Sequence, residues 1–185
     1  EEIAAAIARD AKILFEGAQG ALLDIDHGTY PFVTSSTTTA GGASSGTGVY
    51  VELHRRVAVC KAYTTRVGNG PFPTELSDET GERIRTVGGE FGATTGRPRR
   101  CGWLDLPLLR KASRLNGTTD LAITKLDVLA GFERLRVCTE YRAGTPVYKD
   151  FDGFESVEGV TSKDTLPREA RSYLDFIERE RSEEH

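Results

Sequence analysis

Apolar positions along the chain come in short bursts separated by long polar, glycine-rich stretches. Ile3–Ala8 reads as the end of a helix, and Lys12–Phe15 (KILF) as a short buried strand halted by Glu16-Gly17. From Gly17 to Gly48 the chain is rich in Gly, Ser and Thr, with Gly41-Gly42, Gly46 and Gly48 near its end. A loop of that length inside a compact domain is usually functional or disordered; Tyr30, Phe32 and Val33 within it favour order. The β-branched run Val57–Val67 predicts a strand, closed by the turn residues Gly68-Asn69-Gly70-Pro71. Phe72–Gly92 reads as an irregular polar surface segment. A helix is expected over Pro107–Asn116, with Leu108, Leu109, Ala112 and Leu115 on one face, Pro107 in the first turn and Gly117 as the stop. Leu121–Thr124 (LAIT) is a second buried-strand candidate, and Arg134–Tyr141 alternates as a half-exposed strand does. A last helix spans Pro167–Arg181, presenting Ala170, Tyr173, Leu174 and Ile177 on one face. Strands and helices mixed in this order predict an α/β fold. Without repeats or a flexible linker, residues 1–185 read as one domain or one large piece of a bigger one.

Composition narrows the function classes. With 38% hydrophobic and 28% charged residues the chain is globular rather than disordered. Its 24 basic and 28 acidic side chains leave a net charge of −4, which argues against general nucleic-acid binding. Within that acidic background Arg97, Arg99 and Arg100 cluster, followed by Arg110, Lys111 and Arg114, as a focused anionic ligand would require. Cys60, Cys101 and Cys138 are odd in number, far apart and form no CxxC pair. They indicate neither a disulfide framework nor a zinc site, and a reducing compartment is the simplest setting. No stretch approaches the about 20 apolar residues of a membrane span, and no signal peptide is visible. Methionine is absent, at position 1 as elsewhere, so the chain is expected to be a fragment, a processed product or a trimmed form.

Two segments carry definite chemistry. Gly92–Arg100 (GATTGRPRR) combines glycines that let backbone approach a ligand, threonine hydroxyls, and guanidinium forks that match carboxylates and phosphates. Pro98 biases Arg97 toward extended backbone, so Arg97 and Arg99 are expected on one side and Arg100 on the other. Composition alone leaves a solvated basic loop as the equal alternative. Thr124-Lys125-Leu126-Asp127 follows an apolar run and resembles the [N/T]-K-x-D element of guanine-nucleotide proteins. A carboxylate at a strand end accepts from guanine N1–H and the exocyclic amine, a donor pair adenine lacks, while the Lys stem lies along the purine. The bland alternative is a Lys and an Asp capping a turn. Asp24-Ile25-Asp26-His27 has the composition of a divalent-ion site, but the preferred reading is that its carboxylates satisfy backbone donors of the loop that follows. No GxxxxGK[ST] loop is present, so a self-sufficient GTPase or ATPase is not expected.

Together these segments resemble one family, the adenylosuccinate synthetases. The resemblance is carried by FEGAQGALLDIDHGTYPFVTSSTTTAGGASSGTGV (Phe15–Val49), KAYTTRVGNGPFPTEL (Lys61–Leu76), GGEFGATTGRPRRCGWLDL (Gly88–Leu106), AITKLDVLAGF (Ala122–Phe132) and LPREARSYLDFIERE (Leu166–Glu180), in the family's order and at near-family spacing. It implies the C-terminal part of such an enzyme, with a mainly parallel central sheet related to P-loop NTPases, flanking helices and long functional loops. It also implies a cytoplasmic homodimer that joins aspartate to IMP with GTP as co-substrate and Mg²⁺. The 6-oxygen of IMP is first phosphorylated, and the aspartate amine then displaces the phosphate. By the same resemblance Gln19, Thr34, Val67 and Arg97 hold IMP; Thr94, Thr95, Gly96, Arg97 and Arg99 hold aspartate; and Arg99, Lys125, Leu126 and Asp127 hold GTP.

Departures from the family pattern accompany the match. The phosphate loop, and with it the catalytic Asp base and His acid, is absent from this chain; His27 lies in a different motif. The metal ligands are expected in that absent part, as is a late Gly-rich segment at the other end. Tyr50–Cys60 replaces a stretch that usually contains Gly-Pro, Thr37 stands where Asn is usual, and Arg142–Phe154 is shorter than typical. The isolated chain is therefore expected to be inactive. The competing readings are a non-enzymatic nucleotide-binding or interaction module, and a remnant that does not fold alone.

Overall fold

The chain divides into two units, residues 1–57 with 112–120, and residues 58–111 with 121–185. The computed structural model describes residues 1–92 and 96–182. Unit one begins with α1 (Glu2–Ala8), as expected. The KILF run that follows is not a strand. Nothing among the described residues pairs with it, and Leu14 is 90% exposed. An apolar run becomes a buried strand only when a neighbour supplies its ladder hydrogen bonds and a second layer covers it.

The long Gly/Ser/Thr segment is ordered. It holds a 3₁₀ turn at Ala21–Leu23 and a short helix, α2 (Gly42–Thr47). Between them the backbone folds back on itself through Thr34 N–H to Leu23 O (2.7 Å), Thr29 N–H to Leu22 O (3.0 Å) and Ile25 N–H to Ser36 O (3.2 Å). Gly28 is obligatory there, because a Cβ would strike the carbonyl oxygens of Asp24 and Leu22. Elsewhere in this unit, Asn116 accepts from Ala40 N–H at 2.7 Å, and Arg55 grips Asp120 through two nitrogens at 2.9 and 3.0 Å. Asp24 is the one buried residue of the unit among those described. Its order thus rests on polar bonds rather than on an apolar core.

Unit two holds the core. The expected strand Val57–Val67 is broken into β1 (Val57–Lys61) and β2 (Thr64–Arg66). The break lets Ala62 and Tyr63 turn inward, to 0% and 2% exposure. The segment read as irregular contains instead helix α3 (Glu79–Gly88). Its signal lies in the capping residues. Asp78 caps it, accepting from Gly81 N–H at 3.1 Å, Glu79 and Glu82 sit in its first turn, and Gly89 ends it in the left-handed region.

Short strands β3 (Arg100–Gly102) and β4 (Leu104–Asp105) lead into α4 (Leu106–Asn116). The expected apolar face of α4 is only partly buried. Leu106 and Leu109 enter the core, whereas Leu115 stays 36% exposed. After β5 (Asp120–Thr124), β6 (Arg134–Arg142) alternates as predicted and runs into β7 (Thr145–Asp152). Ala143 and Gly144 join the two, both at positive φ, as a tight hairpin turn requires. Helix α5 (Arg168–Ser182) buries Ala170, Tyr173 and Ile177 as expected, and Phe176 besides.

Where a mainly parallel sheet was expected, the strands form small mixed sheets. β4 pairs parallel with β6, β6 antiparallel with β7, β2 antiparallel with β3, and β1 neighbours β5. Ile84, Leu106, Leu129, Leu135, Val137 and Ile177 close over one another at 0% exposure. Each such side chain contributes about 1.5–3 kcal/mol through burial.

Candidate functional site

Two clusters in unit two and one loop in unit one contain the residues that the sequence singles out. In unit one, the buried Asp24 is the hub of its loop. Its Oδ1 accepts from the N–H groups of Asp26 and His27, both at 3.0 Å, and its Oδ2 from Thr38 (2.7 Å) and Thr39 (3.2 Å). Burial opposes its charge, but these four backbone donors outweigh that and hold the carboxyl below its usual range. The preferred reading of the DIDH motif therefore holds for Asp24, while Asp26 and His27 are exposed. Gln19 is exposed, with φ 65°, and Thr34 is half-buried within the same folded loop.

In unit two, Glu90 is 1% exposed and sits at the stem of the arginine loop. Its carboxylate accepts from Lys61 Nζ (2.6 Å), Tyr63 Oη (2.5 Å) and Arg99 Nη1 (3.0 Å). Burial again works against the charge, and Lys61, Tyr63 and Arg99 together hold the carboxyl below its usual range. Burial and the adjacent Glu90 push the Tyr63 phenol up. The stem itself is a narrow hairpin, with Arg99 N–H donating to Glu90 O (2.9 Å), Phe91 bridging Pro98, and Gly92 N–H donating to Arg97 O (2.8 Å). Gly96 closes it at φ 63°. Thr94 and Thr95, expected to contact aspartate, lie outside the described residues.

The three arginines of the loop part company. Arg97 is exposed, and Arg99 is held by Glu90. Arg100 turns elsewhere, as the extended-backbone argument expected. It grips Glu75 through Nε and Nη2 (2.8 and 2.5 Å), donates to Gly70 O (2.8 Å) and stacks over Phe72. Arg100 is thus a structural clamp on the 68–75 turn, which the sequence did not reveal. Val67, just past β2, is 60% exposed.

At the end of β5, Lys125 adopts a left-handed backbone (φ 61°) and sends Nζ to Gly88 O at the last residue of α3 (2.7 Å). Gly88 leaves room for this packing, since a Cβ there would lie 2.5 Å from Tyr63 Oη. Asp127 follows on a 3₁₀ turn, Leu126–Leu129, whose Val128 and Leu129 are buried while Asp127 is exposed. Of the four non-glycine residues at positive φ among those described, Gln19 and Lys125 are two. Such backbone costs about 1–3 kcal/mol and gathers at ligand sites. Within unit two, the residues 88–90 join the expected aspartate and guanine groups, because Gly88 anchors Lys125 and Glu90 anchors Arg99. Glu90, Lys61 and Tyr63 were not foreseen; a lone acid inside GGEFG was the available signal.

Mg²⁺ does not fit the residues described. No group of three His, Cys, Asp or Glu among them could hold a metal ion, and both oxygens of Asp24 are committed to backbone N–H groups. Among the described residues no helix is long and apolar enough to cross a membrane.

Comparisons with known proteins identify the family. The family model for adenylosuccinate synthetase matches residues 1–183. The chain is 56% identical to the adenylosuccinate synthetase of Trichlorobacter lovleyi, over 93% of this chain and 44% of that protein. It is also 56% identical to that of Thermodesulfovibrio yellowstonii, over 94% and 45%. The fully ligated adenylosuccinate synthetase of Plasmodium falciparum superposes with a TM-score of 0.93 at 40% identity, over 97% of this chain and 48% of that one. The chain therefore spans under half the length of the curated relatives it matches. The match takes in residues 1–183 of this chain and supports family membership, not the expectation that the chain is the family's C-terminal part. The family itself is established: this α/β chain belongs to the adenylosuccinate synthetases.

Proposed function

We propose that this chain supplies the aspartate loop and the guanine-selecting residues of a GTP-dependent ligase that joins aspartate to IMP, giving adenylosuccinate. The observation that carries the proposal is the exposed Asp127 carboxylate at the end of β5, beside a lysine fixed on Gly88 O. A strand end is where α/β sheets bind ligands, and a lone carboxylate there matches the paired N1–H and amine donors of guanine. In this reading Lys125 lies along the purine, Leu126 supports it, and Arg99 reaches GTP as well as aspartate. Gln19, Thr34, Val67 and Arg97 contact IMP, and Thr94, Thr95, Gly96, Arg97 and Arg99 receive aspartate. The arginines neutralise the dicarboxylate together with charge developing on the transferred phosphoryl group. The cytoplasmic, homodimeric setting and the co-substrate GTP belong to the same proposal.

The 185 residues contain no Gly-rich phosphate loop with a lysine, so the chain alone should form no adenylosuccinate from IMP, GTP and aspartate. The complete gene product should form it. A coupled assay on both proteins decides. Turnover by the short chain above a no-enzyme control contradicts the division of labour, and none by the complete product contradicts the function.

The arginines should separate in kinetics. Lysine keeps the charge of an arginine but loses its planar fork. In the complete enzyme, Arg97→Lys and Arg99→Lys should each raise KM for aspartate or lower kcat by at least about tenfold. Arg100→Lys should lower the melting temperature, because its fork holds Glu75, and leave kinetic constants within about threefold. Steady-state rates with varied aspartate at saturating IMP and GTP read this out. Equal, mild effects of all three would return the loop to a solvated basic segment.

A further inference from the structure

Among the described residues, Glu90 hydrogen-bonds to one of the groups that the proposed function assigns to substrate, Arg99, and it holds that one from inside. Three constraints converge on Arg99. Its backbone N–H donates to Glu90 O (2.9 Å), its carbonyl accepts from Arg85 Nε (2.9 Å), and its Nη1 donates to Glu90 Oε2 (3.0 Å). Its Nε, although buried, has no hydrogen-bond partner among the described residues. A guanidinium binds a carboxylate through a pair of neighbouring N–H groups. With Nη1 held by Glu90, the edge formed by Nε and Nη2 is the one left to receive it. A buried N–H without an acceptor is unfavourable, and a carboxylate oxygen arriving on that edge relieves it.

Glu90 is in turn held by groups that do not reach the loop. Lys61 Nζ shares Oε2 with Arg99 and also donates to Thr65 Oγ1 at 3.1 Å. Tyr63, 2% exposed in the core, donates to Oε1. The carboxylate therefore ties the Arg99 side chain of the loop stem to Lys61 and the buried Tyr63. A fork fixed in direction before substrate arrives loses less conformational freedom on binding it.

We propose that Glu90 is a positioning residue for the substrate dicarboxylate, setting the direction in which Arg99 presents its Nε–Nη2 edge. This rests on the assignment of Arg99 to aspartate binding. Glu90 makes no contact with the substrate; it acts through the arginine. Its removal should therefore weaken aspartate most, while the guanine-base contacts, anchored separately by Lys125 on Gly88 O, stay as they were.

The test uses the complete enzyme and four variants: Glu90→Gln, Glu90→Asp, Arg99→Lys and the double variant Glu90→Gln with Arg99→Lys. Glu90→Gln keeps the shape and removes the charge. It should raise KM for aspartate at least about tenfold, with KM for IMP within about threefold and KM for GTP, which Arg99 also reaches in the proposed function, rising less than that for aspartate. The double variant should be no worse than Arg99→Lys alone, since both changes remove the same interaction. Glu90→Asp withdraws the charge by one methylene and should give an intermediate rise in aspartate KM; it carries the test if Glu90→Gln does not fold. An aspartate KM that stays at the parent's value in the folded Glu90 variants overturns the proposal. So do equal rises for all three substrates, which a merely structural role would produce, and so does full additivity in the double variant. Arg99→Lys reads the underlying assignment independently: if it leaves aspartate KM unchanged, Arg99 does not bind aspartate, and the positioning role falls with it for that separate reason.

Discussion

Replacing Asp24 with asparagine should free the whole 20–41 loop while leaving the core of unit two folded. Asp24 accepts four backbone N–H bonds and is the one buried residue among those described in its unit. Asparagine has one acceptor oxygen, and its NH₂ would face two of the four donors. Hydrogen bonds to a charged group are worth about 1.5–3 kcal/mol each, so losing two should cost at least about 3 kcal/mol locally. That is roughly a hundredfold in the opening equilibrium. Amide exchange at Asp26, His27, Thr38 and Thr39 should speed up by about that factor in Asp24→Asn, with Ile84 and Leu135 amides unchanged.

The pH dependence of these amides has a definite sign. The folded carboxyl titrates below its unfolded value. Its contribution is complete above the ordinary carboxylate range and is lost as pH falls through the depressed folded value. Protection of the four amides in the parent should therefore decline only below about pH 4, while the asparagine variant is already unprotected at neutral pH. Equal exchange in parent and variant would show that the loop is held by something other than Asp24.

The parts of this fold that the sequence disclosed are those where one local rule acts alone. Alternation over Arg134–Tyr141 became β6, because one face of that strand meets the core and the other meets water. The apolar face of the last helix became the buried face of α5. The misreadings occur where two rules compete or where a partner decides. KILF has strand composition but no neighbour among the described residues, so its hydrophobicity alone misled. α3 is polar on most sides, with only Ile84 as a large buried side chain, and its capping residues had to be weighed against that polarity. Val57–Val67 read as one strand because β-propensity does not see the inward turn of Ala62 and Tyr63.

The site was legible as motifs rather than as geometry. GATTGRPRR and TKLD were found by residue type, because fork-shaped donors and a strand-end carboxylate are rare enough to be noticed locally. The assembly that orients them was not. Lys61 and Tyr63 lie 29 and 27 positions before Glu90 and meet it only in the folded chain. The split between Arg99 and Arg100 was visible in the extended backbone at Pro98, but the Glu75 clamp on Arg100 was not.

Asp127→Asn in the complete enzyme should exchange the preferred base. The parent carboxylate presents two acceptors to the N1–H and amine of guanine. Asparagine presents one acceptor and one donor, so its NH₂ opposes the amine of guanine. Xanthine carries a carbonyl oxygen in place of that amine and suits the asparagine pattern. A well-made pair of such bonds discriminates by about 1–3 kcal/mol, and here the change acts on both bases in opposite directions. IMP and aspartate meet other residues in this account and should be little affected. The deciding measurement is kcat/KM for GTP and for XTP in parent and Asp127→Asn, at saturating IMP and aspartate. The account predicts at least about a tenfold loss with GTP and a shift of about a hundredfold in the GTP-to-XTP ratio. A variant that keeps the parent's kcat/KM for GTP and its preference over XTP would contradict the assignment of this strand end to the guanine base.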